Sequence, residues 1–178
     1  MTDASTAQPP ETRPLPTTPE RLLARLAELG IETTTQDHPP LLTVEDSKRL
    51  RGDLPGGHCK NLFLKDKKDR YWLVVTLEDR KVDIKALDKR LGAARLSFAS
   101  AERLWTVLGV NPGSVTPFAL INDREHKVQV VLDAAMMREA LLNYHPLVNN
   151  RTTAIKSADL VRFIEACGHR PATLNLDG

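Results

Sequence analysis

The stretch from Leu62 to Val75 decides the fold and reads L-F-L-K-D-K-K-D-R-Y-W-L-V-V. Two apolar runs, 62–64 and 71–75, flank a charged segment from Lys65 to Arg70. Short runs rich in aromatic and β-branched residues on either side of a polar turn are typical of a β-hairpin. Because both runs are almost wholly apolar, the sequence predicts a hairpin in the core of a sheet.

Cap and stop signals predict helices around this hairpin. The helices are expected at 19–29, 43–50, 83–91, 101–108, 134–142 and 158–166. Further strands are expected at 31–37, 118–121, 127–132 and 152–155. Helices and strands interleave without strict alternation, which favours an α+β (mixed α/β) fold. We expect a central mixed, largely antiparallel β-sheet flanked by helices.

The length of 178 residues fits one folded domain. Residues 1–16 are rich in Pro, Thr and Ala and predict a flexible tail, 17–170 the domain, and 171–178 a C-terminal tail. No apolar run is long enough to cross a bilayer, and no apolar stretch follows a basic start. We therefore expect a cytoplasmic protein with no membrane partner.

The net charge of +2 says little about partners, but its distribution is uneven. Between Lys60 and Arg95, eleven Lys and Arg stand against six Asp and Glu. This excess predicts a face for an anionic ligand. Solvated charges that never form a patch are an equally good interpretation.

The two cysteines, Cys59 and Cys167, fit neither a disulfide framework nor a zinc motif, so we interpret both as reduced thiols. His58 and Cys59 are neighbours in an extended segment, where consecutive side chains point to opposite faces. No other Cys or His stands at ligand spacing. The expectation is that the protein holds no metal and no cofactor.

Three segments rich in polar, Gly or Pro residues border predicted strands, namely 57–61, 109–118 and 144–153. In the first, the Lys60 ammonium can hold a phosphate or polarise a carbonyl. In the second, glycines allow backbone N–H groups close to a ligand. In the third, His145 can exchange a hydrogen bond near neutral pH. With no nucleophile elbow, phosphate loop or paired-His motif, the residues alone leave the function open.

Together and in this order, the three segments resemble the YbaK-type, prolyl-tRNA synthetase-associated editing-domain family. The segments C-K-N-L-F-L at 59–64, G-S-V-T-P-F at 113–118 and H-P-L-V-N at 145–149 are most similar to its free-standing alanyl-tRNA(Pro) deacylase branch. The resemblance spans roughly Thr18 to Cys167. It implies the YbaK-like fold and hydrolysis of the ester of mischarged alanyl-tRNA(Pro).

The resemblance also implies site residues. Lys60 matches the family's essential lysine, and Asn61 and His145 join it as expected catalytic residues. The expected substrate-binding residues are Gly113, Ser114, Thr116, Phe118 and Asn149. In the family, the attacking water is helped by the ribose hydroxyl of the substrate, so no side-chain nucleophile is expected. From the local charge, we expect Lys65, Lys67, Lys68 and Arg95 to contact the tRNA acceptor stem.

Two rival interpretations stay open at this stage. A sister branch of the family acts on cysteinyl-tRNA(Pro), which gives the same reaction with a different amino acid. From another class, the chain could be a non-catalytic tRNA- or nucleic-acid-binding module. DNA is not expected, because no helix-turn-helix or basic-region helix is visible. A transient association with prolyl-tRNA synthetase or elongation factor is a further expectation that no motif marks.

Overall fold

The structure, a computed structural model, describes residues 13–40, 49 and 54–176. The expected helix at 43–50 and most of the expected N-terminal tail lie outside the described residues, apart from Arg49 and residues 13–16. The described helices are α1 (Pro19–Glu28), α2 (Ile84–Leu91), α3 (Ala101–Leu108) and α4 (Ser157–Ala166). The strands are β1 (Thr33–Asp37), β2 (Gly57–Lys65), β3 (Tyr71–Leu77), β4 (Ser97–Phe98), β5 (Val128–Asp133), β6 (Leu141–Tyr144), β7 (Arg151–Lys156) and β8 (Ala172–Leu174).

These strands form one eight-stranded sheet in the order β1-β7-β6-β2-β3-β5-β8, and β4 adds to β2. The predicted hairpin is confirmed, because β2 and β3 pair antiparallel from Cys59 opposite Leu77 to Lys65 opposite Tyr71. The pairs β2·β6, β3·β5 and β5·β8 are parallel. The pairs β1·β7, β6·β7 and β2·β4 are antiparallel like the hairpin. The expected α+β fold with a mixed sheet is confirmed.

The two faces of the hairpin bury different clusters of apolar side chains. Phe63 and Leu73 belong to the larger cluster, which also takes the apolar faces of α1, α3 and α4. Leu64 and Trp72 belong to the smaller cluster, which is covered by α2. Because consecutive residues of a strand point to opposite faces, one apolar hairpin supplies both clusters.

Two segments differ from the predicted elements. The expected strand at 118–121 is a 3-10 helix, Pro117–Asn122, since Pro117 starts it and the Thr116 hydroxyl accepts from the Phe118 N–H. The expected helix at 134–142 is a short 3-10 turn, Met136–Arg138, followed by β6. Pairing of β6 with both β7 and β2 outweighs the helix propensity of the Ala and Leu residues in 134–142.

Both ends of the described chain contact the domain. The expected C-terminal tail contributes β8, which pairs with β5, and Leu176 is buried. At the other end, the Arg13 guanidinium lies 4.1 Å from the centre of the Trp105 ring. The Thr17 hydroxyl donates to Asn122 at 2.6 Å. Within the part of the chain that the structure describes, no helix has the length and apolar character needed to span a membrane.

The turn of the β2·β3 hairpin is organised by the buried carboxylate of Asp66. It accepts from the backbone N–H groups of Lys68, Arg70 and Ala94, and from the Arg70 guanidinium. Burial alone would raise the pKa of Asp66, but the hydrogen bonds from Ala94 and Arg70 outweigh it and hold the pKa well below its usual range. The turn is thereby fixed against the loop that follows α2.

Replacing Asp66 by Asn should lower the free energy of unfolding at pH 7 by roughly 2–4 kcal/mol, because buried N–H donors lose an ionised acceptor. A depressed folded-state pKa stabilises the fold above the unfolded value of about 3.9, and this contribution is lost as the pH falls below it. The difference between the two proteins should therefore shrink at pH 3. Urea unfolding followed by circular dichroism at both pH values measures it.

The matched control is Asp69→Asn in the same turn. Asp69 is exposed and has φ 58°, a conformation that Asn tolerates well. Its ion pairs with Lys65 and Arg103 are at the surface, so a change below about 1 kcal/mol is expected. Equal losses in the two variants would contradict the role given to Asp66.

Candidate active site

The site begins where the sheet opens beside β2. On the side away from β3, β2 pairs with β6 only at Gly57 and His58, and with β4 only at Leu64 and Lys65. Among the described residues, 59–62 therefore have no strand partner on that side. This edge begins directly after the pairing with β6, the strand that leads into the 144–153 segment.

Close backbone contact fixes the start of this opening. Gly56 has φ +97°, and a Cβ there would lie 2.8 Å from the Leu141 carbonyl oxygen, so glycine is required. The Asn143 side-chain amide donates to the carbonyls of Pro55 (2.9 Å) and Gly57 (3.2 Å). The β2·β6 register pairs Gly57 with Leu142 and His58 with Asn143, and it ends there.

Lys60 and Asn61 project from opposite faces of β2. Asn61 shares its face with Cys59 and Phe63, which pack in the larger cluster. Lys60 shares its face with Leu62 and Leu64 of the smaller cluster. A ligand can meet both side chains only if it sits across the open edge of the strand.

The Lys60 ammonium has no hydrogen bond or ion pair to any other described residue. Across the sheet it stands opposite Thr76, whose hydroxyl donates to Asp133 at 2.6 Å. Asp133 is fully buried and also pairs with Arg80 at 2.7 Å. The Asp133 carboxylate is therefore already engaged by Thr76 and Arg80.

Asn61 and Asn111 each hold a buried side-chain oxygen with no hydrogen-bond donor in the structure. A buried carbonyl oxygen without a donor costs free energy, and native structures keep few of them. Asn61 was expected in the site, whereas Asn111 was missed. The sequence feature that could have indicated Asn111 is its position directly before the Pro112-Gly113 turn, where a side chain is held close to the backbone of the loop.

The Gly113 loop forms a 3-10 turn, Pro112–Ser114, in which the Ser114 N–H donates to the Asn111 carbonyl at 2.8 Å. This N–H is thus engaged inside the turn. A Cβ on Gly113 would lie 3.1 Å from Asn149 Nδ2, so the loop and the segment after β6 pack closely here. The structure brings Gly113, Ser114 and Asn149 together, as their shared assignment to the site requires.

Two of the expected substrate-binding residues lie beneath this loop. Thr116 and Phe118 have no exposed surface, and the Thr116 hydroxyl caps the following 3-10 helix. The Phe118 ring packs edge-on against Tyr144 (6.0 Å) and Phe163 (5.5 Å). In this structure both residues therefore support the loop from the core.

His145 is held by the Arg151 carbonyl, 2.9 Å from Nδ1. A carbonyl can only accept, so Nδ1 carries the proton and the neutral ring presents Nε2 as an acceptor. Burial lowers the pKa of His145, and the charge of His38 lowers it further, against the opposing effect of the Arg151 carbonyl. The ring is therefore neutral at pH 7. In the same segment, Leu147 is buried with φ 73°, a strained conformation for a branched side chain.

His38 lies beside His145 and is not among the residues expected in the site from the sequence. Its ring centre lies 6.2 Å from that of His145. Its Nδ1 donates to the Pro39 carbonyl and its Nε2 forms a hydrogen bond with the Thr152 hydroxyl, both at 2.8 Å. The available signal was the repeated His-Pro dipeptide at 38–39 and 145–146. Pairing of β1 with β7 brings the two dipeptides together.

The two thiols do not provide a nucleophile. Burial raises the pKa of Cys59 to about 12, and a hydrogen bond with Tyr144 offsets only part of this effect. Burial also raises the pKa of Cys167 to about 12. Both stay protonated at neutral pH, and only the thiolate attacks carbonyls well. In residues 13–40, 49 and 54–176, no His, Cys, Asp and Glu side chains are grouped as metal ligands.

The four expected tRNA-contacting cations surround the Asp66 turn. The Lys67 N–H donates to the Ala94 carbonyl at 2.8 Å, which places Lys67 beside Arg95. Lys67, Lys68 and Arg95 are exposed and have no ion pair in the structure. Lys65 is half-buried and lies 3.8 Å from Asp69. They form one basic cluster at the far end of β2 from Gly57.

An open strand edge with a lysine that pairs with no described residue, a neutral histidine and a close-packed glycine loop are features that suit hydrolysis without a side-chain nucleophile. Comparison with known families agrees with this class, since residues 38–163 match the aminoacyl-tRNA editing domain. The chain belongs to this family. It is a hydrolase of the editing class, which removes a wrongly attached amino acid from tRNA.

Individual relatives place the chain more closely. The chain is 42% identical over 154 residues to prolyl-tRNA synthetase associated domain-containing protein 1 of Danio rerio, covering 85% of this chain and 84% of the relative. It is 35% identical over 151 residues to the prolyl-tRNA editing protein ProX of Acetoanaerobium sticklandii, covering 84% and 92%. A crystal structure described as "a putative trans-editing enzyme for prolyl tRNA synthetase" shares the fold, with TM-score 0.68 at 16% identity over 88% of this chain and 96% of that one.

The geometry predicts that His145 titrates below its usual pKa of 6.5. Replacing His38 by Gln removes a neighbouring charge and should raise the pKa of His145. The value should still stay below 6.5, because burial is the larger cause. NMR titration of the imidazole C–H shifts in both proteins measures this. A pKa at or above 6.5 in the parent protein would contradict the buried, neutral ring.

Proposed function

We propose that the chain is a trans-editing deacylase that hydrolyses the ester of mischarged alanyl-tRNA(Pro). The observation that carries this proposal is the open edge of β2 at residues 59–62, which bears Lys60 and Asn61. We assign the Gly113 loop and His145 to the same site. The similarity to a prolyl-tRNA editing protein supports the choice of tRNA. The finer choice of alanine rests on the resemblance of the three segments to the alanine-specific branch.

The need for such an enzyme follows from the limits of a binding pocket. A synthetase site built for proline cannot strongly exclude a smaller amino acid, because each missing methylene changes binding by only about 1–3 kcal/mol. A separate site that admits alanine and excludes the proline ring by size removes the error. Walls of buried side chains at a fixed strand edge suit such a size filter.

We assign Lys60 to the anionic end of the substrate, either the terminal phosphate or the polarised ester carbonyl. Its ammonium is not neutralised by a described neighbour, and Asp133 is already engaged by Thr76 and Arg80. The buried oxygens of Asn61 and Asn111 each lack a donor. The substrate's α-ammonium supplies N–H donors, so these two oxygens are suited to hold the amino acid.

In the proposed reaction, the oxygen of a water molecule attacks the ester carbonyl and the C–O bond to the ribose breaks. The products are free alanine and the 3′ hydroxyl of tRNA. Neutral His145 offers Nε2 to position the water or the ribose hydroxyl. Because the Ser114 N–H is engaged in its turn, we assign the stabilisation of the oxyanion to the Gly113 N–H.

The deciding experiment is deacylation of alanyl-, cysteinyl- and prolyl-tRNA(Pro) by the purified protein. We expect rapid loss of alanine and little loss of proline. Lys60→Ala should lower kcat/KM for alanyl-tRNA(Pro) by roughly 100- to 1,000-fold, as expected when one electrostatic contact to the transition state is removed.

Lys127→Ala is the matched control, since Lys127 is a half-exposed lysine whose partner is the surface residue Glu125. Its rate should equal that of the parent protein. Preferred loss of cysteine would move the assignment to the sister branch. Hydrolysis of none of the three substrates, with tRNA still bound, would replace the deacylase by a binding module.

We further propose that the basic cluster of Lys65, Lys67, Lys68 and Arg95 contacts the acceptor stem. Binding of phosphates releases counterions, so each lost contact should reduce the slope of log K against log salt by about 0.7–0.9. Changing all four to Gln should weaken tRNA binding and flatten this slope. Lys127→Gln with Lys156→Gln serves as the charge control. An unchanged slope in the fourfold variant would remove the cluster from the interface.

Association with prolyl-tRNA synthetase stays part of the proposal. Its support is that relatives are named as prolyl-tRNA synthetase associated domain proteins. No surface of the described residues marks this partner or elongation factor. Cosedimentation of the two purified proteins, with and without tRNA, tests it directly.

A further inference from the structure

Phe98 is the one large hydrophobic side chain that the described residues expose, with 64% of its surface accessible. It lies on β4, a two-residue strand held to β2 opposite Leu64. The backbone is fixed on both sides, because Ser97 pairs with Lys65 and the Ala99 N–H donates to the Phe63 carbonyl at 3.0 Å. The ring is thus presented to solvent by a rigid support.

The surroundings of Phe98 are cationic. Arg95 lies three residues before it, and hydrogen bonding of Lys67 to Ala94 places the basic turn beside the same loop. The carboxylate of Asp66 does not offset these charges, since it is buried and bound to Arg70. An exposed aromatic ring among unpaired Lys and Arg suits one kind of partner, a nucleic acid with an accessible base.

Phe98 and Lys60 also share a face of the sheet. Phe98 stands opposite Leu64, which projects from the same side of β2 as Lys60. Lys60 and Leu64 are four residue steps apart, which spans about 13 Å along the strand, the length of roughly four stacked nucleotides. A tRNA whose esterified end lies at Lys60 can therefore reach Phe98 where its unpaired 3′ end joins the acceptor stem.

We propose that Phe98 is a stacking platform for the base at this junction, with Lys67, Lys68 and Arg95 holding the adjacent phosphates. The inference rests on the proposed function for the identity of the RNA. In this proposal, the junction of paired and unpaired nucleotides binds at β4, and the ester binds at the site beside Lys60. Stacking fixes the distance from the stem to the reacting carbonyl.

The test compares Phe98→Ala, Phe98→Trp and Ser97→Ala for binding of uncharged tRNA(Pro) over a range of salt concentrations. Phe98→Ala should weaken binding by roughly 5- to 150-fold, the effect of losing one stacked base. The slope of log K against log salt should not change, since no charge is lost. Phe98→Trp should restore the affinity, and Ser97→Ala on the same strand should match the parent protein.

A second readout links the platform to catalysis. Phe98→Ala should lower kcat/KM for alanyl-tRNA(Pro) by a larger factor than for 3′-O-alanyl adenosine, which lacks the stem. If the parent and Phe98→Ala proteins bind tRNA with equal affinity, Phe98 is not a stacking platform. If both proteins still deacylate alanyl-tRNA(Pro), the proposed function stands. Loss of affinity in a protein that hydrolyses no ester would uphold the platform and reject the deacylase.

Discussion

The short parallel contact between β2 and β6 is the constraint on which the site depends. Only Gly57 and His58 pair with β6, and the Asn143 amide bonded to Pro55 and Gly57 locks the two strands at that point. Beyond it the strands part, although β2 remains fully paired with β3. The hairpin thus supplies rigidity on one side of β2 and leaves the other side open for chemistry.

Each wall of the opening is held by a different part of the core. The Gly113 loop rests on Phe118, whose ring packs against Tyr144 and Phe163. The His145 segment is tied to the end of β7 through the Arg151 carbonyl. Because Phe118, Tyr144 and Phe163 belong to the larger apolar cluster, the position of the Gly113 loop depends on the packing of buried side chains.

Local signals predicted the hairpin and the helices at 19–29, 83–91, 101–108 and 158–166, which the structure confirms to within one residue, because apolar periodicity and caps lie in adjacent residues. Local signals failed where contacts between residues distant in sequence determine the secondary structure or bring side chains together. The 134–142 segment has helix-forming residues, but strand pairing on both sides of β6 prevails. The proximity of His38 to His145 has the same origin, since it depends on the β1·β7 ladder. The resemblance supplied Lys60, Asn61 and His145, while the opposite orientation of the first two became visible only in the strand.

The open edge of β2 has a second consequence, for solubility. Unpaired strand edges present backbone N–H and C=O groups that can template pairing with another chain. Here the pairings with β6 at Gly57 and His58 and with β4 at Leu64 and Lys65 keep the unpaired edge short. A substitution that weakens either pairing would lengthen the unpaired strand edge as well as disturb the site. The residues that bound the edge therefore affect the solubility of the protein as well as the geometry of the site.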